Sequence, residues 1–149
     1  MAHIIVDGYN FIRRVPRFLE AEGRSLEEGR YELLLALEEY AAGHGYRVTV
    51  VFDGGSRPAH MGPELPRREK FAGIDIIFSD MGRSADSEIM ELIAKLREQR
   101  ARGEGWPEGG EIVVSDDLEI RDHALELGAF TKSTEDLIDA MEGKMRLSV

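Results

Sequence analysis

Four short apolar runs stand out along the chain: His3–Val6, Val48–Phe52, Ile74–Phe78 and Ile112–Val114. Each is rich in Ile and Val and nearly continuous, without alternation of polar and apolar residues. That pattern predicts strands covered on both faces, as in a parallel sheet held between helical layers. Between the runs, apolar residues recur at helical spacing. Leu34, Leu37 and Ala41 follow the capping-box pattern Ser25–Glu28. Ile89, Leu92, Ile93 and Leu96 form one apolar stripe, and Ile120, Ala124 and Leu127 form another behind Asp116 and Glu119. Gly128 stands where a helix C-cap is expected, and Ala129–Thr131 reads as a short fifth strand. Ser133–Asp136 repeats the capping pattern ahead of Leu137, Ile138 and Met141. Alternating strands and helices predict an α/β protein, a three-layer α/β/α sandwich with a mostly parallel sheet. The 149 residues suit one domain, 1–149, and no repeat or linker divides them. Two stretches lack either period and read as irregular: Gly54–Gly73, with Pro58, Pro63 and Pro66, and the Gly-rich Arg102–Gly110.

The positions of the aspartates change this from a fold into a candidate site. The first strand ends in Asp7, the second in Asp53, and the fourth in Ser115-Asp116-Asp117. Asp86 follows the third strand, at the start of the most regular helix. In an open parallel sheet, ligands bind outside the carboxyl ends of the strands, so all these acids are expected at one edge. Carboxylates gathered in one cleft repel each other. A hard divalent cation, Mg²⁺ or Mn²⁺, relieves that repulsion. Such an ion activates water and stabilises charge on a phosphodiester. Taken singly, each acid is also an ordinary helix cap or turn residue. The run Asp7-Gly8-Tyr9-Asn10 reads as a tight loop, with Gly8 supplying the turn and Asn10, the one asparagine of the chain, facing a phosphate or Asp7.

The segments IIVDGYNFI (4–12), VVFDG (50–54), SADSEIMELI (84–93), IVVSDD (112–117) and GAFTKSTEDLI (128–138) follow one order. In that order they resemble the YacP-like branch of the NYN domain family, within the PIN-like nuclease group. The resemblance runs over nearly the whole chain. It implies a PIN-like fold and metal-dependent endoribonuclease activity. Matched position by position, it makes Asp7 and Asp116 core metal-binding acids, with Asp86 completing the acidic set and Asp53 as a further candidate metal ligand. Asp7, Asn10, Asp86 and Asp116 become the catalytic candidates. Ser115 supports the site on the substrate side, and Asp117 is a helix cap or an outer residue.

Charge complicates this reading. With 19 Lys+Arg against 29 Asp+Glu, the net charge is −10, which excludes a protein that coats nucleic acid or anionic membrane by its overall charge. Local basic clusters are therefore the expected phosphate contacts: Arg13 and Arg14, joined by Arg17, after the first strand, and Arg57, Arg67 and Arg68, with Lys70, after the second. RNA is the expected partner, as mRNA or on the ribosome, which would supply affinity that the chain lacks. With no Cys, thiolate chemistry and disulfides are excluded, and the four histidines show no metal-ligand spacing. The start lacks a signal-peptide pattern and no segment is long and apolar enough for a membrane span, so a cytoplasmic location without membrane contact is expected. Two alternatives stay open: a non-catalytic RNA- or ribosome-binding module using the same edge, and a phosphatase of the haloacid dehalogenase type. Against the phosphatase, Tyr9 stands where its second acid is needed.

Overall fold

The computed structural model describes residues 2–53, 67–79, 83–104 and 110–147, with the backbone alone for Arg67. Arg57, the rest of 54–66 and Trp106 lie outside the described residues.

Six strands form one sheet in the order β3-β4-β2-β1-β5-β6. They are β1 (His3–Asp7), β2 (Arg47–Phe52), β3 (Arg67–Phe71), β4 (Ile74–Phe78), β5 (Glu111–Val114) and β6 (Phe130–Lys132). All pairings are parallel except β3 with β4. The helices are α1 (Gly8–Arg14), α2 (Pro16–Arg24), α3 (Leu26–His44), α4 (Ala85–Ala101), α5 (Leu118–Glu126) and α6 (Thr134–Met141).

The continuous apolar runs are explained by the two cores. Ile4, Val6, Val48, Val50, Phe52, Ile112 and Val114 pack on one face of the sheet, with residues of α1, α2, α3 and α6. Ile5, Val51, Ile77 and Val113 pack on the other, with residues of α4 and α5. Neighbouring strand residues point to opposite faces, so a sheet buried on both sides needs apolar side chains at every position.

Three elements differ from the sequence reading. The segment Asp7–Asn10 is not a loop: β1 runs straight into α1 at Gly8. That glycine has no positive φ; it is needed for close approach, because a Cβ there would press 2.5 Å from Cδ1 of Phe52. A separate helix, α2, follows with Pro16 at its first turn, where a proline costs no hydrogen bond. The end of the supposed irregular stretch is the edge strand β3, in which Arg67 pairs with Phe78 and Arg68 with Ile77.

Caps occur where the sequence places them. Ser25 Oγ accepts from Glu28 N at 3.0 Å, although the Glu28 carboxylate turns to Arg24 instead of closing the box. Ser133 and Asp136 form the complete reciprocal box on α6. Gly128 follows α5 at φ 83°.

The chain winds from β1 outward to β2 and β4, then returns across the sheet to β5 and β6. The carboxyl ends of β1 and β5 therefore flank the point where the winding reverses, the usual place for a ligand in such sheets. Among the described residues, no helix is long and apolar enough to cross a membrane.

Candidate active site

A cleft of about 530 Å³ opens at this edge, lined by Asp7, Asn10, Asp53, Asp86, Asp117 and Glu119, with Tyr9, Arg13 and Arg14 among its walls. Strand alternation puts the acids there. Ile5, Val51 and Val113 face α4 and α5; two residues on, Asp7, Asp53 and Ser115 share that side, and Asp117 continues the series.

Asp7 is the most buried of these acids. Ser115 Oγ donates to its Oδ2 at 2.9 Å and itself accepts from Asp117 N at 3.1 Å. Burial pushes the Asp7 carboxyl up to about 6, against the stabilising bond from Ser115, and the charges of Asp117, Asp53 and Asp86 push it the same way. Asp117 also caps α5, its Oδ1 accepting from Glu119 N at 2.9 Å. Ser84 caps α4, accepting from Ser87 N at 3.2 Å, which leaves Asp86 in the first turn facing the cleft.

Asp116 lies differently from its expected position. It follows the parity of Val114, toward the α6 face. Its Oδ1 accepts from Thr134 N, the first residue of α6, at 3.0 Å, and its Oδ2 lies 3.9 Å from Arg14 Nε. It is not among the residues lining the cleft. Its backbone N–H donates to Asn10 Oδ1 at 3.0 Å, so Asp116 holds Asn10 by its main chain while its side chain holds α6.

The second acidic group was not visible as a spacing of histidines. Ligand atoms of Asp86, Glu119 and His123 lie within 4.8 Å of one another. Glu119 and His123 are four residues apart on α5, hence on one helix face; that offset was the available signal. His123 Nδ1 sits 3.3 Å from Asp86, and this hydrogen bond and charge raise the imidazole pKa.

The basic residues divide. Arg13 and Arg14 line the cleft, Arg13 bonded to Glu22 at 3.3 Å with its guanidinium over the Tyr9 ring. Arg17 instead packs over Phe18 and faces a separate groove. The backbone of Arg67 reaches the carboxyl edge at Phe78, Arg68 is exposed one step further back, and Arg57 is outside the described residues.

The YacP-like NYN domain profile matches residues 4–146. This chain belongs to the YacP-like NYN family. A Bacillus subtilis (strain 168) protein called YacP is 33% identical over 93 residues, covering 62% of this chain and 52% of the relative, so the match spans about half the length of that curated protein. The crystal structure of Rae1 (YacP) from Bacillus subtilis superposes with a TM-score of 0.73 at 28% identity, over 97% of this chain and 75% of that one. A point mutant of the same protein gives 0.75 at 27% identity, over 97% and 77%. NYN domains are a nuclease type, and the sheet with its helical layers is the fold of that family.

Proposed function

We propose that this NYN domain is a metal-dependent endoribonuclease that hydrolyses RNA phosphodiester bonds with Mg²⁺ or Mn²⁺. One observation carries the reading. A buried carboxyl, Asp7, shares a cleft with Asp53, Asp86 and Asp117, and among the described residues no Lys or Arg lies within ion-pair distance of it. An oxygen-rich donor set of this kind fits a hard divalent cation. Asp7, Asp86 and Asp53 would hold it, with Asp117 adjoining and Glu119 and His123 offering a neighbouring set. When bound, the ion lowers the pKa of water and offsets phosphate charge.

The chain's own groups do the rest. Asn10, fixed through its Oδ1, keeps its amide N–H groups for a phosphate oxygen. Ser115 orients Asp7. Arg13 and Arg14 stand at the wall where the RNA backbone would pass, Arg68 extends that role along the edge, and Arg57 and Arg67 are further candidate phosphate contacts. Asp116 acts as a positioning residue through Asn10 and α6. With a net charge of −10, few phosphates are neutralised, so binding of free RNA is weak. A larger ribonucleoprotein such as the ribosome would supply the missing affinity.

The test is cleavage of end-labelled RNAs by the purified chain. Activity should need Mg²⁺ or Mn²⁺, stop with chelator, and vanish in Asp7→Asn and Asp86→Asn while RNA binding persists. An Asp7→Asn protein that cuts as fast as the parent overturns the mechanism. Chelator-insensitive binding with no cleavage of any RNA would instead make the domain a non-catalytic RNA-binding module.

A further inference from the structure

Tyr9 joins two hollows. Its ring lines the acidic cleft, and its hydroxyl accepts from Arg30 Nη1 at 2.9 Å. Arg30 belongs to a second hollow of about 320 Å³, walled by Tyr31, Leu34, Phe52, Phe71 and Phe78. Beneath it run buried core rings: Tyr9 lies 5.0 Å from Phe52, and Phe52 lies 5.4 Å from Phe78. The Arg30 guanidinium lies over this row, 5.4 Å from the Phe78 centroid and 6.0 Å from that of Phe52. Arg13 and Arg14 have acidic partners; among the described residues Arg30 has none within ion-pair distance. In an acidic chain, this cation is held by aromatic faces and a phenol. Tyr31 is half exposed and meets Phe71 edge-on at 5.6 Å, which leaves ring surface open to solvent.

Flat aromatic faces beside a guanidinium plane are how proteins hold unpaired RNA bases. The rim carries Glu27 and Glu69, which can accept from the exocyclic amino group of a base, and Lys70, which also pairs with Asp75 at 3.5 Å. The chemistry of the hollow therefore suits the base of a nucleotide and leaves its phosphate on the Arg side.

We propose that this hollow is a nucleotide subsite, in which Tyr31 and Arg30 hold an unpaired base of an RNA strand whose backbone continues past Tyr9 into the acidic cleft. It rests on the ribonuclease reading for what happens at that cleft, but not for the binding itself.

The experiment titrates the full chain into a fluorescent single-stranded RNA of roughly twelve nucleotides, with chelator present, and reads anisotropy. Tyr31→Ala should weaken binding roughly tenfold, the loss of one stacked base. Tyr31→Phe should bind like the parent, and thermal melts should coincide because the side chain is half exposed. In cleavage assays with metal, Tyr31→Ala should raise KM and leave kcat unchanged. Arg30→Gln should also weaken binding. Unchanged binding by Tyr31→Ala, or no RNA binding by the parent, overturns the subsite. If binding falls in Tyr31→Ala while the parent cuts no RNA, the subsite stands and the nuclease reading falls.

Discussion

Ser115 Oγ donates to Asp7 Oδ2 at 2.9 Å across the seam between β5 and β1. This bond lowers the Asp7 pKa against burial and three neighbouring acids. Removing it in Ser115→Ala should move that carboxyl further above 6. Divalent-metal affinity needs the ionised form, so its acid limb should shift to higher pH than in the parent. Calorimetric metal titrations across a pH series measure the midpoint. An unmoved midpoint would mean that Asp7 does not govern metal binding.

Asp7 also makes a prediction about stability. Its folded pKa is raised from 3.8 to about 6. Below the lower value both folded and unfolded chains carry the proton, and nothing is lost. Between the two values the unfolded chain ionises first, and stability falls as pH rises. Above the upper value the penalty is constant, at most about 3 kcal/mol. Asp7→Asn should therefore raise the denaturation midpoint at about pH 8, with the gain fading towards about pH 4. Equal gains at both pH values would locate the effect elsewhere.

Asp116 and Asp86 should separate under the same substitution. An Asn at position 116 keeps an oxygen that can accept from Thr134 N, so Asp116→Asn should stay close to the parent in stability and cleavage. Asp116→Ala leaves Thr134 N without its acceptor, with α6 still capped by Ser133, and should cost about 1 kcal/mol. Asp86→Asn should lose metal affinity without losing stability. Urea melts beside metal titrations distinguish the three. Loss of metal binding in Asp116→Asn with an intact fold would make its carboxylate a ligand.

Gly8→Ala tests the entry to α1. Alanine ordinarily favours a helix, yet here its methyl group meets the Phe52 ring and Val50 Cγ1 at 3.0 Å. Overpacking of this kind costs about 1–3 kcal/mol. The displaced α1 start carries Asn10 with it, so cleavage should fall more than the melt alone accounts for. A Gly8→Ala chain as stable as the parent would show that Phe52 moves aside at little cost.

Much of this arrangement was legible before folding. The buried strands advertise themselves because both faces need apolar residues. The caps at Ser25 and Ser133 follow from local hydrogen bonding. What escaped had weaker signals. β3 (RREKF) is an edge strand whose described side chains are largely exposed, so it has no apolar pattern to reveal it, and its charge is typical of protected edges. α1 hides because Gly8 reads as a turn residue, although it permits tight packing against Phe52. Asp116 and Asp117 cannot be told apart by composition. Counting in twos from Val113 and Val114 separates them, because that count decides which face each side chain meets.

The bond from Thr134 N to Asp116 also has a meaning in time. A polypeptide leaves its exit tunnel amino end first, so Asp7 emerges long before Ser115, and the clamp through residue 134 arrives after both. The acidic edge is thus closed only once residue 134 has been made, long after its first acid.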